Sequence, residues 1–243
     1  MESLYAYIPT DRRHALAHGS DLPDYVTGAA LFADISGFTP LTEALAEALG
    51  PQRGADELTR WLNQVYDTLV TEIESYHGSV ISFGGDAVTC WFDDNKGSLP
   101  AALRAAASAL AVQRAMQQFA RVEIPGAGNV SLAIKVVVTV GPARRFLIGD
   151  PAIQLVDTLA GETLYRLEDG EHLAQRGEVL LDQSAVTVLG EEIDISEWRE
   201  DVTSGERFAV VNRLKTSVPP DPWAPLETDA LRERYGGRGD AVT

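Results

Sequence analysis

The chain has 243 residues, a length that fits one domain with appended segments and allows a substantial hydrophobic core. Its 36 acidic residues outnumber 20 basic ones, and the net charge of −16 argues against a nucleic-acid partner. The single cysteine, Cys90, excludes an intramolecular disulfide and a cysteine-rich metal site. There is no long apolar run and no signal-like N-terminal segment, so we expect a cytoplasmic protein with no membrane partner.

The first predicted elements are a strand and the helix that follows it. Residues 28–35 are small and apolar and lead into the turn-forming run 36–40, which predicts a buried strand ending in a turn. Thr39 as N-cap and Pro40 at the first helical position then predict a helix. Asp34 is therefore expected at the end of a buried strand, close to a helix N-terminus.

The next segment predicts a long helix and a hairpin. Apolar residues recur at helical spacing from Ala55 to Ile73, with Gly78 as the expected C-cap. Two β-type runs, 79–83 and 87–92, then flank Gly84-Gly85-Asp86. This pattern predicts a tight hairpin with Asp86 at its bend.

The second half of the chain predicts one more strong helix and several strands. Residues 100–119 read as helix, and apolar residues alternate from Val130 to Val140 as in a half-buried strand, with 144–148 returning as its partner. Beyond Gly149 we expect a helix over 153–174 and strands over 177–181 and 207–214. The order predicts an α+β fold with a ferredoxin-like βαββαβ core, an antiparallel sheet with helices on one face.

Three segments follow from this pattern. We expect an N-terminal extension over 1–24, the folded domain over 25–214, and a Pro/Gly-rich linker or tail over 215–243. Within the domain, Cys90 lies in an apolar run beside Trp91 and is expected to be a buried, unreactive thiol.

Asp34 and Asp86 are the candidate metal ligands. A ferredoxin-like sheet places the hairpin tip beside the end of the first strand, so the two carboxylates would converge there. Such a pair suits Mg²⁺ or Mn²⁺, and two ions roughly 3.5–4 Å apart can activate an attacking oxygen and bridge phosphates. An aspartate after a strand is also commonly a cap or turn residue, and the residues alone leave both interpretations open.

Two runs carry a family resemblance, Phe32-Ala33-Asp34-Ile35-Ser36-Gly37-Phe38-Thr39 and Phe83-Gly84-Gly85-Asp86-Ala87. Together they resemble the two metal-binding motifs of class III adenylyl and guanylyl cyclases. The wider stretch from Tyr7 to Leu45 is similar to the first of the tandem domains in the soluble, bicarbonate-responsive adenylyl cyclases and their bacterial relatives. The resemblance implies that ATP, with GTP less favoured, becomes cyclic AMP and pyrophosphate through in-line attack of the ribose 3′-hydroxyl on the α-phosphorus.

The resemblance also assigns roles to individual residues. It implies that Asp34, Ile35 and Asp86 hold two Mg²⁺ or Mn²⁺ ions. The residues implied to bind the nucleotide are Ile35, Ser36, Gly37, Phe38, Thr39 and Gly85.

The chain departs from the family at the residues that one cyclase domain supplies to its partner's site. In the family these are an adenine-reading Lys and Asp, a ribose-positioning Asn and a transition-state Arg. Ser82 stands at the Lys position here, and counting without gaps puts Phe146, Ile153 and Asp157 at the Asp, Asn and Arg positions. Ser82 and Val156 also replace the basic residues that hold bicarbonate in the relatives, so we expect no bicarbonate activation.

These departures predict the metal-binding half of a dimeric site, which needs a second cyclase domain in the same or another chain. A homodimer would hold two metal halves and no complementary half. The alternative is a non-catalytic cyclase-homology domain that acts as a regulatory or dimerisation module in signalling. Arg144 and Arg145 are expected to be a solvated pair rather than phosphate ligands.

Overall fold

The computed structural model describes residues 8–126, 128–150 and 154–226. The helices in these ranges are α1 (Thr10–Ala17), α2 (Phe38–Leu49), α3 (Pro51–Glu74), α4 (Ala101–Met116), α5 (Glu162–Leu173) and α6 (Gln183–Leu189). The strands are β1 (Tyr25–Ser36), β2 (Ser79–Gly84), β3 (Ala87–Asp93), β4 (Val122–Ile124), β5 (Gly128–Val130), β6 (Ala133–Asp150), β7 (Gln154–Ala160), β8 (Val179–Asp182), β9 (Ile193–Glu200) and β10 (Arg207–Leu214). None of these helices is both long and apolar enough to cross a lipid bilayer.

One large sheet organises the fold. Its strand order is β2-β3-β1-β6-β8-β10-β9, with β7 paired to β6, while β4 and β5 form a small separate ribbon. The central strand β1 lies antiparallel to both β3 and β6, and β8 lies parallel to β6. The predicted α+β class with a mainly antiparallel sheet is confirmed.

Helices cover both faces of this sheet. Alternate residues of β1 point to opposite faces: Leu31 belongs to a core cluster shared with α2, α3, α4 and α6, whereas Ala30 belongs to a cluster with Leu167 of α5. A Cβ on Gly170 of α5 would lie 2.5 Å from Val137, which shows how closely α5 approaches the sheet. The expectation of helices on one face therefore holds for all the large helices except α5.

The course of the chain after Val140 corrects two predictions. β6 continues without a break to Asp150, so residues 144–148 extend this strand instead of returning as its partner. The return strand is β7, which pairs from Gln154 with Asp150 to Ala160 with Arg144. Residues 154–160, predicted as the start of a helix, are thus strand, because a short apolar run satisfies either pattern and sheet pairing decides between them.

Two predicted caps also differ. The N-cap of α2 is Gly37, with a φ of 108°, and Thr39 and Pro40 lie inside the first turn. At the end of α3 the left-handed residue is His77, with a φ of 61°, and not Gly78. Gly78 is small for another reason, since a Cβ there would lie 2.6 Å from the ring of Phe92.

A buried ion cluster fastens the N-terminal segment to the domain. Arg12 of α1 donates to Asp157 of β7 with two bonds of 2.9 and 3.0 Å, and Arg145 of β6 donates to the same carboxylate at 2.7 Å. Arg145 also binds Asp11, which accepts a 2.9 Å bond from Ser79. The side chain of Arg145 is 1% exposed, so the expectation of a solvated Arg144–Arg145 pair is wrong for Arg145.

The two arginines keep Asp157 ionised. Burial alone would raise the pKa of Asp157, but the hydrogen bonds and charges of Arg12 and Arg145 outweigh burial and lower this pKa below its ordinary value. The carboxylate is therefore charged at neutral pH and compensates two buried guanidinium groups.

We expect Asp157→Asn to destabilise the fold by about 3–5 kcal/mol, because it leaves two buried cations without their shared counter-charge. Urea unfolding would measure this loss. The matched control is Asp194→Asn, which breaks an exposed ion pair with Arg213 and should cost about 1 kcal/mol or less. Equal costs for the two variants would contradict the role of the buried cluster.

The segment after β10 packs back onto the domain over its described part, residues 215–226. The indole nitrogen of Trp223 donates to the carbonyl of Gly78 at 2.7 Å, and its ring lies 3.8 Å from the His77 ring and 4.8 Å from the His14 ring, centroid to centroid. Asp221 accepts from the amide of Ser98 at 2.8 Å. The predicted linker thus begins as a docked segment, while its distal part lies outside the described residues.

The two histidines beside Trp223 are expected to make the stability of this packing depend on pH. Burial lowers the pKa of His14 and, as the largest influence, also that of His77, below the ordinary value of 6.5. The neighbouring charges are mixed: His18 and Arg13 act with burial on His14 against Asp11, and Arg104 and Lys96 act with burial on His77 against Asp221. A histidine with a lowered folded-state pKa stabilises the packed state above about pH 6.5, and this contribution is lost as pH falls.

We expect the free energy of unfolding to decline between about pH 7.5 and 5.5, and the double variant His14→Asn with His77→Asn to flatten this decline. Asparagine suits position 77 because it tolerates a positive φ. Urea titrations at several pH values would test it, with His172→Asn as control. An unchanged slope in the double variant would show that other groups control the pH dependence.

Candidate metal and nucleotide site

Asp34 lies near the end of the central strand β1. Its cross-strand neighbours are Ala87 on β3 and Lys135 on β6. Its side chain is partly buried, at 21% exposed, on the side of β1 that faces α5. Because strands on both sides pair with β1 at this position, the backbone of Asp34 is held on a rigid element.

Asp86 occupies a two-residue turn next to Asp34. Gly84 pairs with Ala87, so only Gly85 and Asp86 connect β2 to β3, and Gly85 has the positive φ, 68°, that such turns require. The amide of Ile35 donates to the carbonyl of Asp86 at 3.0 Å. The structure therefore brings the residues Asp34 and Asp86 to one end of the sheet, as predicted from the hairpin.

The start of α2 lies directly beyond these residues. Ser36 ends β1, and the carbonyl of Gly37 accepts from the amide of Leu41 at 3.1 Å to close the first turn of α2. A Cβ on Gly37 would lie 2.5 Å from the carbonyl of Ser131, so only glycine fits there. The amides of Phe38 and Thr39 belong to the first turn, where helix geometry supplies no intrahelical acceptor and an anion can bind.

Lys135 is a residue beside the candidate site that the sequence pattern did not identify. Its ammonium lies 3.2 Å from Oδ2 of Asp34 and 3.3 Å from Oε1 of Glu171 on α5. The only sequence signal was its position on the polar side of an alternating strand. Lys135 places a positive charge at the point where Asp34 would meet a metal or a phosphate.

The donor set fits divalent ions that keep part of their coordination open. Among the described residues, no group of three or more His, Cys, Asp and Glu side chains forms a metal cage. Two carboxylates with the carbonyl of Ile35 would leave coordination positions for water and phosphate oxygens, which is how Mg²⁺ is usually held beside a nucleotide. The ammonium beside Asp34 shows that this carboxylate already attracts a cation.

Counting without gaps assigned Ser82, Phe146, Ile153 and Asp157 to the positions that a cyclase domain supplies to its partner's site. The described ones among them show no nucleotide-binding arrangement. Ser82 is exposed on β2, and the ring of Phe146 lies 5.1 Å below the guanidinium of Arg144. Asp157 is fully engaged in the buried ion cluster, so its carboxylate is not available to a nucleotide. Ile153 lies outside the described residues.

Comparison with known proteins gives two kinds of similarity. The chain is 38% identical over 65 residues to adenylate cyclase type 10 of Oryctolagus cuniculus and of Homo sapiens, over 27% of this chain and 4% of each relative. The matched region is thus a small fraction of those much longer proteins. No family model matches the chain.

The solved structures match over most of the chain. The guanylate cyclase domain of RhGC from Catenaria anguillulae, solved in complex with GTP, has a TM-score of 0.62 at 17% identity and covers 80% of this chain and 100% of its own. The adenylyl cyclase CyaB from P. aeruginosa has a TM-score of 0.62 at 19% identity and covers 78% of this chain and 95% of its own.

The chain therefore has the fold of class III adenylyl and guanylyl cyclase domains, and the resemblance seen in the two aspartate-containing runs is confirmed. Among curated proteins, its sequence is similar to adenylate cyclase type 10, over a short region.

We expect Lys135→Gln to tighten Mn²⁺ binding to the nucleotide-free chain by at least about five-fold. Two unit charges about 4 Å apart interact by about 1 kcal/mol even at the dielectric constant of water, and the ammonium competes with a metal for Asp34. Titration of Mn²⁺ by electron paramagnetic resonance would measure the affinity. Lys215→Gln, which removes a lysine outside the site, should leave it unchanged; weaker binding in Lys135→Gln would refute the competition.

Proposed function

We propose that this chain is an adenylate cyclase domain that supplies the metal-binding half of a dimeric site. The observation that carries the proposal is the position of Asp34 and Asp86 at the same end of the sheet, where the Ile35 amide donates to the Asp86 carbonyl. ATP is proposed over GTP because the sequence similarity is to proteins named adenylate cyclase.

Each site element has a role in this proposal. Asp34, Asp86 and the carbonyl of Ile35 would hold two Mg²⁺ or Mn²⁺ ions, which when bound would activate the ribose 3′-hydroxyl and neutralise charge on the phosphates. The first-turn amides of Phe38 and Thr39 would donate to phosphate oxygens, with Ser36, Gly37 and Gly85 lining the approach. These residues orient the triphosphate so that the 3′-hydroxyl lies in line with the leaving pyrophosphate.

Lys135 adds a movable cation to this site. Its ammonium is shared between Asp34 and Glu171. When Asp34 binds a metal, the ammonium would lose its partner there and could keep Glu171 or turn to a phosphate oxygen. The Lys135 ammonium would then neutralise either Glu171 or a phosphate oxygen, depending on whether nucleotide is bound.

The chain would depend on a second cyclase domain for the base-reading and transition-state residues. Ser82 offers no charge at the adenine-reading position, and the Asp157 carboxylate is bound to two arginines. A complementary domain in the same natural chain or in another would therefore complete the site. A homodimer would contain two metal-binding halves and would still lack the base-reading and transition-state residues.

The second candidate is a non-catalytic cyclase-homology module that regulates or dimerises with a partner. The absence of the partner-directed residues favours it, and the intact aspartate pair argues against it. Binding of nucleotide with Mn²⁺ separates the two, since a module that only contacts its partner has no need of the aspartates.

The test is production of cyclic AMP from ATP with Mn²⁺, by the purified chain alone and by the chain mixed with a domain carrying the complementary Lys, Asn and Arg. We expect activity only in the mixture, and a loss of at least about a hundred-fold in Asp34→Asn and Asp86→Asn, because charge stabilisation by a bound metal is worth several kcal/mol. Parallel assays with GTP would determine the base preference.

Asp194→Asn is the control, because Asp194 lies on β9, the strand at the opposite edge of the sheet from the β2–β3 hairpin. It should retain full activity. Activity of the chain alone would contradict the dependence on a partner. If the mixture produced no cyclic AMP and the chain bound neither ATP nor Mn²⁺, the non-catalytic module would be favoured.

A further inference from the structure

The turn that carries Asp86 has little packing to hold it. Gly84, Gly85 and Asp86 are all exposed, and a Cβ added to either glycine would meet no atom within 4 Å. Two adjacent glycines also give the chain wide conformational freedom. Hydrogen bonds are therefore expected to hold the backbone of this turn in place.

Two such bonds act on consecutive carbonyl groups. The amide of Ile35 donates to the carbonyl of Asp86 at 3.0 Å, and the phenol of Tyr66 on α3 donates to the carbonyl of Gly85 at 2.6 Å. The first bond comes from β1 and the second from a helix. Together they fix the peptide planes on both sides of the Asp86 α-carbon, and so the direction in which its Cα–Cβ bond leaves the turn.

The ring of Tyr66 is itself held in place. It packs edge-to-face on Phe83, near the end of β2, with ring centroids 5.4 Å apart and planes at 86°. Burial, followed by the nearby charge of Asp86, raises the pKa of Tyr66 above its ordinary value of 10.0, so the phenol remains a donor at neutral pH. Helical spacing alone predicts Tyr66 as a core residue, whereas the structure directs its hydroxyl to the turn.

We propose that Tyr66 is a positioning residue for the metal ligand Asp86, holding the exposed turn between β2 and β3 in its binding geometry through the bond to Gly85. This role rests on the proposed function, since it assumes that Asp86 binds a divalent ion. In this role Tyr66 acts through the turn and is not itself a ligand of the metal or the nucleotide.

The test is binding of Mn²⁺ alone to the full chain, followed by the electron paramagnetic resonance signal of the free ion. Tyr66→Phe keeps the ring and removes the hydroxyl, and it should weaken binding by about three- to ten-fold, the range of a typical hydrogen bond. Tyr66→Leu also removes the contact with Phe83 and should weaken binding further. The matched control is Tyr76→Phe, beyond the end of α3 and away from the turn, with affinity unchanged.

Two measurements separate positioning from a merely structural role. The unfolding midpoint of Tyr66→Phe in urea should fall by no more than the loss of one exposed hydrogen bond explains, and the amides of the turn should exchange with deuterium faster. Asp86→Asn should abolish Mn²⁺ binding. If it does so while Tyr66→Phe binds Mn²⁺ as tightly as the wild type, the role of Tyr66 is overturned and the proposed function stands. If the wild-type chain bound no Mn²⁺, both would fall.

Discussion

The antiparallel register between β1 and β3 is the constraint on which the candidate site depends. Asp34 pairs with Ala87, and the preceding residue, Asp86, is therefore drawn to the end of β1. A shift of one residue would turn Asp34 to the other face of the sheet, away from Lys135 and α5. The core protects this register, because Leu31, Ala33 and Ile35 on the same strand are buried on the opposite face.

Several buried or partly buried basic side chains of this acidic protein are paired with specific acceptors. Arg145 and Arg12 fasten the N-terminal helix through Asp157, and Lys135 balances the carboxylate of Asp34. Arg104, with 1% of its surface exposed, donates to five backbone carbonyls, three at the end of β3 and in the loop after it and two just beyond the end of α3. Buried cations of this kind specify one arrangement, since each would be costly without its partners.

The segments on either side of the domain are part of the same packing. α1 reaches β6 and β7 through the ion cluster, and Trp223 of the C-terminal segment lies between His14 of α1 and His77 beyond α3. The two segments thus touch each other on the surface of the domain. Their contact also includes His77, which lies just beyond the end of α3.

The sequence by itself determined the fold class and the order of the main elements through β6, and it identified Asp34 and Asp86 as candidate site residues, because strong periodicity and turn-forming residues are local signals. Only the tertiary structure decided that residues 154–160 are strand and that Arg145 is buried. It also decided that Lys135 contacts Asp34 and that Tyr66 contacts the turn that carries Asp86. Each of these depends on a partner distant in sequence: β6 for the strand, Asp11 for Arg145, Glu171 for Lys135 and Gly85 for Tyr66. Local pattern cannot contain such pairings, since they exist only when the sheet has assembled.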